Sequence, residues 1–377
     1  RVEHILLSAP RRTGKTSVMD HLAANPQDGF VPIPVFVQDI NHPADFILLM
    51  LDLFHEKNPQ LFRDLFRGGT HLIGKALGKI GAVEFGSLKI ALRDQDPDWK
   101  QNWKTYGEEF FTQVRQSESR LLLLVDEFPD MIINMSQEHP ECVRPFLAWF
   151  RGHRLKPRPK QDKVRWVLCG SVNLSSTLDA LNCLDQINDI RDVPLPPLTQ
   201  LQVIEFIREM LSVRNVDFDG NVPAAVADTL GRPVPVFLQM VTQDLYRMWK
   251  RTGQKLTAGD VSAAYADLIV TSGARDKLQH FYSRIGRYYK EPKRAAAYTI
   301  LAKLSVSIDG LSRATLLADF DHILHEQGMA VAAEQRKQLF NQLMRDLEND
   351  FYVAEVTGGK YDFASGLIKQ WWSKYYA

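Results

Sequence analysis

Ala9-Pro10-Arg11-Arg12-Thr13-Gly14-Lys15-Thr16 is the stretch on which the reading of this chain turns. It follows the pattern Gly-x-x-x-x-Gly-Lys-Ser/Thr, with Ala9 in the first glycine's place. The apolar run His4–Ser8 precedes it, and a helical pattern starts at Ser17. Strand, tight turn and helix in that order aim successive backbone N–H groups at one point. The helix N-terminus adds its partial positive charge. Such a turn holds phosphate. In this pattern the lysine reaches the β- and γ-phosphates as a point charge, and the next hydroxyl ligates Mg2+. Lys15 and Thr16 are therefore the expected grip on ATP and Mg2+. Pro10, Arg11, Arg12, Thr13, Gly14 and Ser17 complete the loop. Ala9 fits the first position if its φ is negative. Arg11 and Arg12 contact a nucleotide phosphate, another subunit or solvent; the sequence leaves these open.

Downstream, residues 121–125 are apolar at every position, as a parallel strand covered on both faces should be. The run ends in Asp126 and Glu127. Alone, such a pair also reads as the cap of the next turn. With the phosphate loop upstream, Asp126 is expected in the Mg2+ shell, and Glu127 is placed to polarise an attacking water. Asp130, after Pro129, reads as a turn or helix-start residue. A further buried strand, 164–169, ends in Gly170-Ser171-Val172-Asn173. Ser171 or Asn173 could touch the γ-phosphate or its water, or simply bond its own backbone.

The rest of the chain gives these motifs a setting. Residues 30–38 are β-rich, and 43–57, 106–116 and 145–154 read as helices. Residues 83–92 alternate around Gly86, as a small inserted hairpin would; 156–163 is a polar, Pro-rich loop. Strand and helix in alternation mean a doubly wound α/β domain over 1–198, with the insertion at about 82–93. Pro194, Pro196 and Pro197 then punctuate the chain. Residues 199–271 carry only helical patterns (200–214, 222–230, 236–251, 258–270), with Thr199 and Thr257 as caps. Residues 272–377 carry helices at 293–305, 312–319 and 334–349, with a turn at Gly310. Strands at 351–356 and 360–363 follow, joined by Thr357-Gly358-Gly359. Helices followed by a hairpin suggest a winged helix.

Composition excludes several classes. The 377 residues are 45% hydrophobic and 24% charged, with a net charge of +1, so no global footprint for nucleic acid or acidic membrane exists. No apolar run reaches the ~18–20 residues of a membrane span, and no signal peptide pattern is present. Cys142, Cys169 and Cys183 are odd in number and form no CxxC pair, which argues against a disulfide framework or zinc site. They read as small buried or incidental residues in a reducing compartment, so a cytoplasmic location is expected. The chain begins at Arg1, and further residues before it are expected in the natural protein.

Several segments come in a familiar order: the loop with two arginines, the acidic strand LLLLVDEF, the strand VRWVLCGS, the segment IRDVPLPPLT and Gly231-Arg232-Pro233-Val234-Pro235-Val236-Phe237-Leu238-Gln239. With the ending YDFASGLIKQWW they resemble the archaeal-ATPase branch of the STAND and AAA+ P-loop ATPases, over essentially the whole chain. The resemblance implies an α/β P-loop domain with a parallel sheet, then an all-helical lid and a C-terminal winged-helix domain. It implies a nucleotide between the α/β domain and the lid, often at a subunit interface. Arg191 matches an arginine that acts on the γ-phosphate in cis or from a neighbour; its alternative is an ion pair with Asp189 or Asp192. Pro235 matches the lid residue that approaches the nucleotide. The adenine-contacting segment of that family lies before the first strand, where only eight residues precede Ala9.

A winged helix can place a helix in the major groove, and origin-recognition ATPases share this layout. Charge does not favour that use here. Residues 272–377 hold 15 Lys/Arg against 12 Asp/Glu. The candidate recognition helix sets Arg336, Lys337 and Arg345 against Glu334, Asp346 and Glu348, whereas phosphate contact needs a basic stripe. Trp371-Trp372 and Tyr375-Tyr376 are expected on the winged-helix core, with a partner surface as the alternative. The leading expectation is an ATP-driven switch that hydrolyses ATP and controls oligomerisation or a partner protein, in a homo-oligomer or effector complex. The family makes antiviral defence a plausible setting by analogy. The alternatives are a DNA-engaging ATPase and a non-hydrolysing nucleotide-binding scaffold.

Overall fold

A computed structural model describes residues 3–9, 12–66, 73, 98–116, 119–155, 163–170, 174–230, 234–270 and 272–377. Pro10, Arg11, Ser171, Asn173, Gly231–Pro233, the expected hairpin at 82–93 and most of the loop at 156–163 lie outside the described residues. The chain divides into two compact units. The first runs to Leu195 and the second from Pro196 to Ala377, with Arg12 and Thr13 grouping with the second.

The first unit is built on five strands: β1 (His4–Ser8), β2 (Phe30–Phe36), β3 (Arg120–Asp126), β4 (Val164–Cys169) and β5 (Ile190–Pro194). They form one parallel sheet in the order β2-β3-β4-β1-β5. Helices of this unit are α1 (Lys15–Ala24), α2 (Pro43–Lys57), α3 (Pro59–Phe66), α4 (Trp103–Gln116), α5 (Phe128–Glu138), α6 (Pro140–Leu155) and α7 (Leu174–Ala180). Side chains alternate across the sheet. Leu121, Leu123 and Val125 of β3, with Trp166 and Leu168 of β4, enter the large core formed with α2, α4, α5 and α6. Leu124, Val167 and Cys169 enter the smaller cluster on the other face, with Met19 of α1. Residues 121–125 of β3 and 166–169 of β4 are apolar at every position because both faces are covered.

The second unit holds nine helices among the described residues. They are α8 (Gln200–Ser212), α9 (Val222–Leu230), α10 (Pro235–Thr252), α11 (Ala258–Val270), α12 (Ser272–Tyr288), α13 (Lys293–Val306), α14 (Arg313–Glu326), α15 (Ala333–Asn349) and α16 (Gly366–Tyr376). Strands β6 (Leu311–Ser312), β7 (Val353–Val356) and β8 (Lys360–Phe363) make a small antiparallel sheet in the order β6-β8-β7. Helix, strand, two helices and a hairpin is the element order of a winged helix. Thr199 caps α8 in a full capping box: Gln202 N–H donates to its hydroxyl at 3.3 Å, and Gln202 Oε1 accepts from Thr199 N–H at 2.9 Å. Ser312 caps α14 and accepts from Thr315 N–H at 3.1 Å.

The lid and winged-helix segments expected as separate domains share one core. It runs from Val203, Leu238 and Leu268 through Leu301, Phe340 and Tyr352 to Trp371 and Trp372. The two tryptophans are 0% and 1% exposed, so they are core residues, not a partner surface.

Candidate phosphate and metal site

The carboxyl ends of β1 and β3 bring together Lys15, Thr16, Asp126 and Glu127. Gly14 begins α1 at φ 101°, a left-handed conformation open to glycine and strained for other residues. Arg12, at φ 65°, also lies in that region. Ala9 is not among the described residues of positive φ, so the condition for an alanine in the first position is met. Lys15 is buried in the first turn of α1, and its Nζ donates to the Ala9 carbonyl at 2.7 Å. The ammonium thus lies within the loop. Thr16 follows, and its hydroxyl donates to Asp126 Oδ2 at 2.7 Å. Ser17 is exposed on the same helix.

Asp126 is the last residue of β3 and is buried. Its other oxygen, Oδ1, accepts from the Glu127 backbone N–H at 2.9 Å and from the Cys169 thiol at 2.8 Å. Glu127 stands between β3 and α5 at φ 61°, half-buried. A non-glycine residue is strained there, and such strain collects at functional turns. Asp130 lies in the first turn of α5 and is buried, as a helix-start residue should be. The turn after β4 sits hard against that helix start. A Cβ on Gly170 would meet Pro129 Cδ at 2.2 Å.

Cys169 is the residue that sequence reading missed. It appeared as an incidental cysteine, yet it ends the strand between β1 and β3, on the face that carries Met19. Burial, and then the neighbouring Asp126 charge, push its thiol well up, so it stays protonated. Only the register of the sheet reveals it. Asp126 and Cys169 each follow an apolar residue that pairs across the sheet, Val125 with Leu168.

Arg191 is placed elsewhere. It lies on the edge strand β5, opposite Ile5 and three positions before the Ser8–Pro194 pair. That is ~10 Å short of the carboxyl edge at strand rise. It is 65% exposed, and its partner is Glu3 at 2.8 Å, not Asp189 or Asp192. Asp189 instead takes the buried Arg154, at 2.8 and 3.0 Å. Pro235 is the first residue of α10, in the second unit.

The donor set suits Mg2+. That ion takes hard oxygen ligands and is held by one or two carboxylates plus phosphate and water rather than a full protein cage. Thr16 and Asp126 supply two such oxygens. No group of three or more His, Cys, Asp or Glu among the described residues could hold a metal alone.

Solved structures share this architecture. The Walker-type ATPase PABY2304 of Pyrococcus abyssi aligns over 98% of this chain and 91% of its own, at 16% identity and TM-score 0.57. The ORC2 protein of Aeropyrum pernix, solved in ADPNP–ADP complexes, aligns over 96% of this chain and 83% of its own, at 13% identity and TM-score 0.50. The fold is that of an AAA+ P-loop ATPase. No protein-family model and no curated protein matches the chain. At these identities the AAA+ likeness is one of fold. No helix among the described residues is long and apolar enough to cross a membrane.

Proposed function

We propose that the chain binds ATP with Mg2+ at this site and hydrolyses it, as a switch of the STAND and AAA+ kind. The observation that carries the reading is the hydrogen bond from Thr16 to Asp126 Oδ2, with Lys15 beside it inside the loop. Lys15 exchanges the Ala9 carbonyl for β- and γ-phosphate oxygens when the loop fills. Gly14 and the first N–H groups of α1 face the same phosphates. Thr16 and Asp126 would hold Mg2+, which neutralises charge on the phosphates and orients the γ-phosphoryl group. Glu127 accepts a proton from the attacking water. Arg12, Thr13 and Ser17 line or support the loop, with Pro10 and Arg11.

Three further roles rest on the sequence alone, the last two of them on the family resemblance. Ser171 or Asn173 would sense the γ-phosphate after β4, and Pro235 would report nucleotide to the helical segment. Arg191, exposed on an edge strand, would act on the nucleotide of a second copy. Hydrolysis then resets a state that controls oligomerisation or a partner protein, in a setting such as antiviral defence. A switch of this kind works only if the two nucleotide states differ in affinity for that partner.

Lys15→Ala and Glu127→Gln test the site. The first should abolish ATP binding. The second should keep binding and lower phosphate release by about 100-fold or more. Unaltered hydrolysis in both removes the assignment.

A further inference from the structure

The metal-binding carboxylate is held from three sides. Thr16 donates to Oδ2 at 2.7 Å. Glu127 N–H and the Cys169 thiol both donate to Oδ1, at 2.9 and 2.8 Å. The Glu127 donor belongs to the adjacent peptide, so it follows Asp126 wherever that residue goes. The terminal torsion of an aspartate is broad, so one local donor does not fix the plane of the carboxylate. Cys169 comes from a different strand, and it is 0% exposed.

A thiol has one proton. Two acceptors lie near Cys169 Sγ: Asp126 Oδ1, and Met19 Sδ at 3.0 Å. An ionised carboxylate is much the stronger acceptor and a thioether a weak one. The proton therefore points at Asp126, and Met19 packs on the sulfur.

We propose that Cys169 is a positioning residue for the cation: its S–H fixes the carboxylate plane so that Oδ2 is presented beside the Thr16 hydroxyl. The inference rests on the ATP–Mg2+ reading above. An apolar residue of similar size would preserve the packing against Met19 but leave Oδ1 with its local donor only.

The test compares Cys169→Val, which keeps an apolar side chain of similar size, with Cys169→Ser, which keeps a donor. Binding of Mn2+ to the full chain, measured by electron paramagnetic resonance with a non-hydrolysable ATP analogue, gives the metal affinity. Binding of the same analogue in EDTA gives the metal-free control. Partners that orient a metal's ligands typically alter affinity by about 10–100-fold, and a weak thiol donor belongs at the lower end. Cys169→Val should weaken Mn2+ by about tenfold, leave metal-free nucleotide binding unchanged, and be rescued by Cys169→Ser. Wild-type Mn2+ affinity in Cys169→Val, or equal losses in Val and Ser, overturns the proposal while the ATP–Mg2+ reading stands. If the unmodified protein binds the analogue with no metal dependence, that reading fails and the positioning role falls with it.

Discussion

Thr16 and Asp126 stand 110 positions apart in the chain, yet the hydroxyl of one lies 2.7 Å from a carboxylate oxygen of the other. The parallel sheet makes this meeting. It places β4 between β1 and β3, so that α1, which leaves β1, reaches the end of β3. Asp126 has the same parity along β3 as Leu124, which joins the cluster under α1.

Thr16→Val should therefore do two things. It removes the donor to Oδ2 and one oxygen ligand for the metal. Hydrogen bonds to charged groups contribute about 1.5–3 kcal/mol, so urea unfolding should show a loss near the low end of that range. Nucleotide binding should also lose its Mg2+ dependence. Thr16→Ser should restore both; a Ser variant as poor as Val would mean that the methyl group, not the hydroxyl, matters.

Gly170→Ala should destabilise the first unit. The added Cβ would lie 2.2 Å from Pro129 Cδ, and a proline ring at a helix start cannot swing away. Overpacking of this kind costs about 1–3 kcal/mol. Because Pro129 follows Glu127 by two residues, phosphate release should fall more than ATP binding. Equal unfolding midpoints for variant and parent would contradict the close approach.

Arg154 and Asp189 give a pH signature. Arg154 is buried, and breaking such a pair by Arg154→Ala should cost about 3–5 kcal/mol. Burial pushes the Asp189 carboxyl up, but the Arg154 hydrogen bond and charge together outweigh it and hold the group below its ordinary range. A depressed folded-state value stabilises the fold above the unfolded value of about 3.9. That stabilisation fades as pH falls through the depressed value. The stability gap between parent and Arg154→Ala should thus be full at neutral pH and narrower near pH 3. Tryptophan fluorescence during urea unfolding at both pH values measures it.

In the second unit, Trp371→Ala should cost about 3–5 kcal/mol, as buried aromatic truncations do. Native-state hydrogen exchange should find α10 and the β7–β8 hairpin opening together, since both border one core. Two well-separated opening free energies would instead mean two domains.

Much of this architecture could be read in the sequence where a segment obeys one local rule. The 222–230 and 258–270 helices fall at the residues that periodicity predicts, and the hairpin forms around Gly358 and Gly359. Segments governed by remote partners were harder. β5 is short, starts at Ile190 and carries two charges. It reads as Pro-rich punctuation, and only pairing with β1 makes it a strand. The helix α12 has many polar residues and blurred periodicity, and a remote group, the Tyr352 hydroxyl donating to Phe281 O at 2.6 Å, helps to hold it in place. α14 runs to Glu326, well past the short helix expected, since Leu316, Phe320, Ile323 and Leu324 all find the shared core. At the site, Lys15, Thr16 and Asp126 follow from spacing alone. Cys169 does not, because its role comes from standing across a sheet from Asp126, and single-strand patterns carry no such information.

The shared core of the second unit also has a mechanical meaning. Close-packed interiors transmit strain instead of absorbing it. Leu238 near the start of α10 and Trp372 near the chain's end belong to one hydrophobic core. A push on the Pro235 end should arrive at the hairpin as a rotation of the whole piece. The helices and the wing are then expected to turn together as one lever arm.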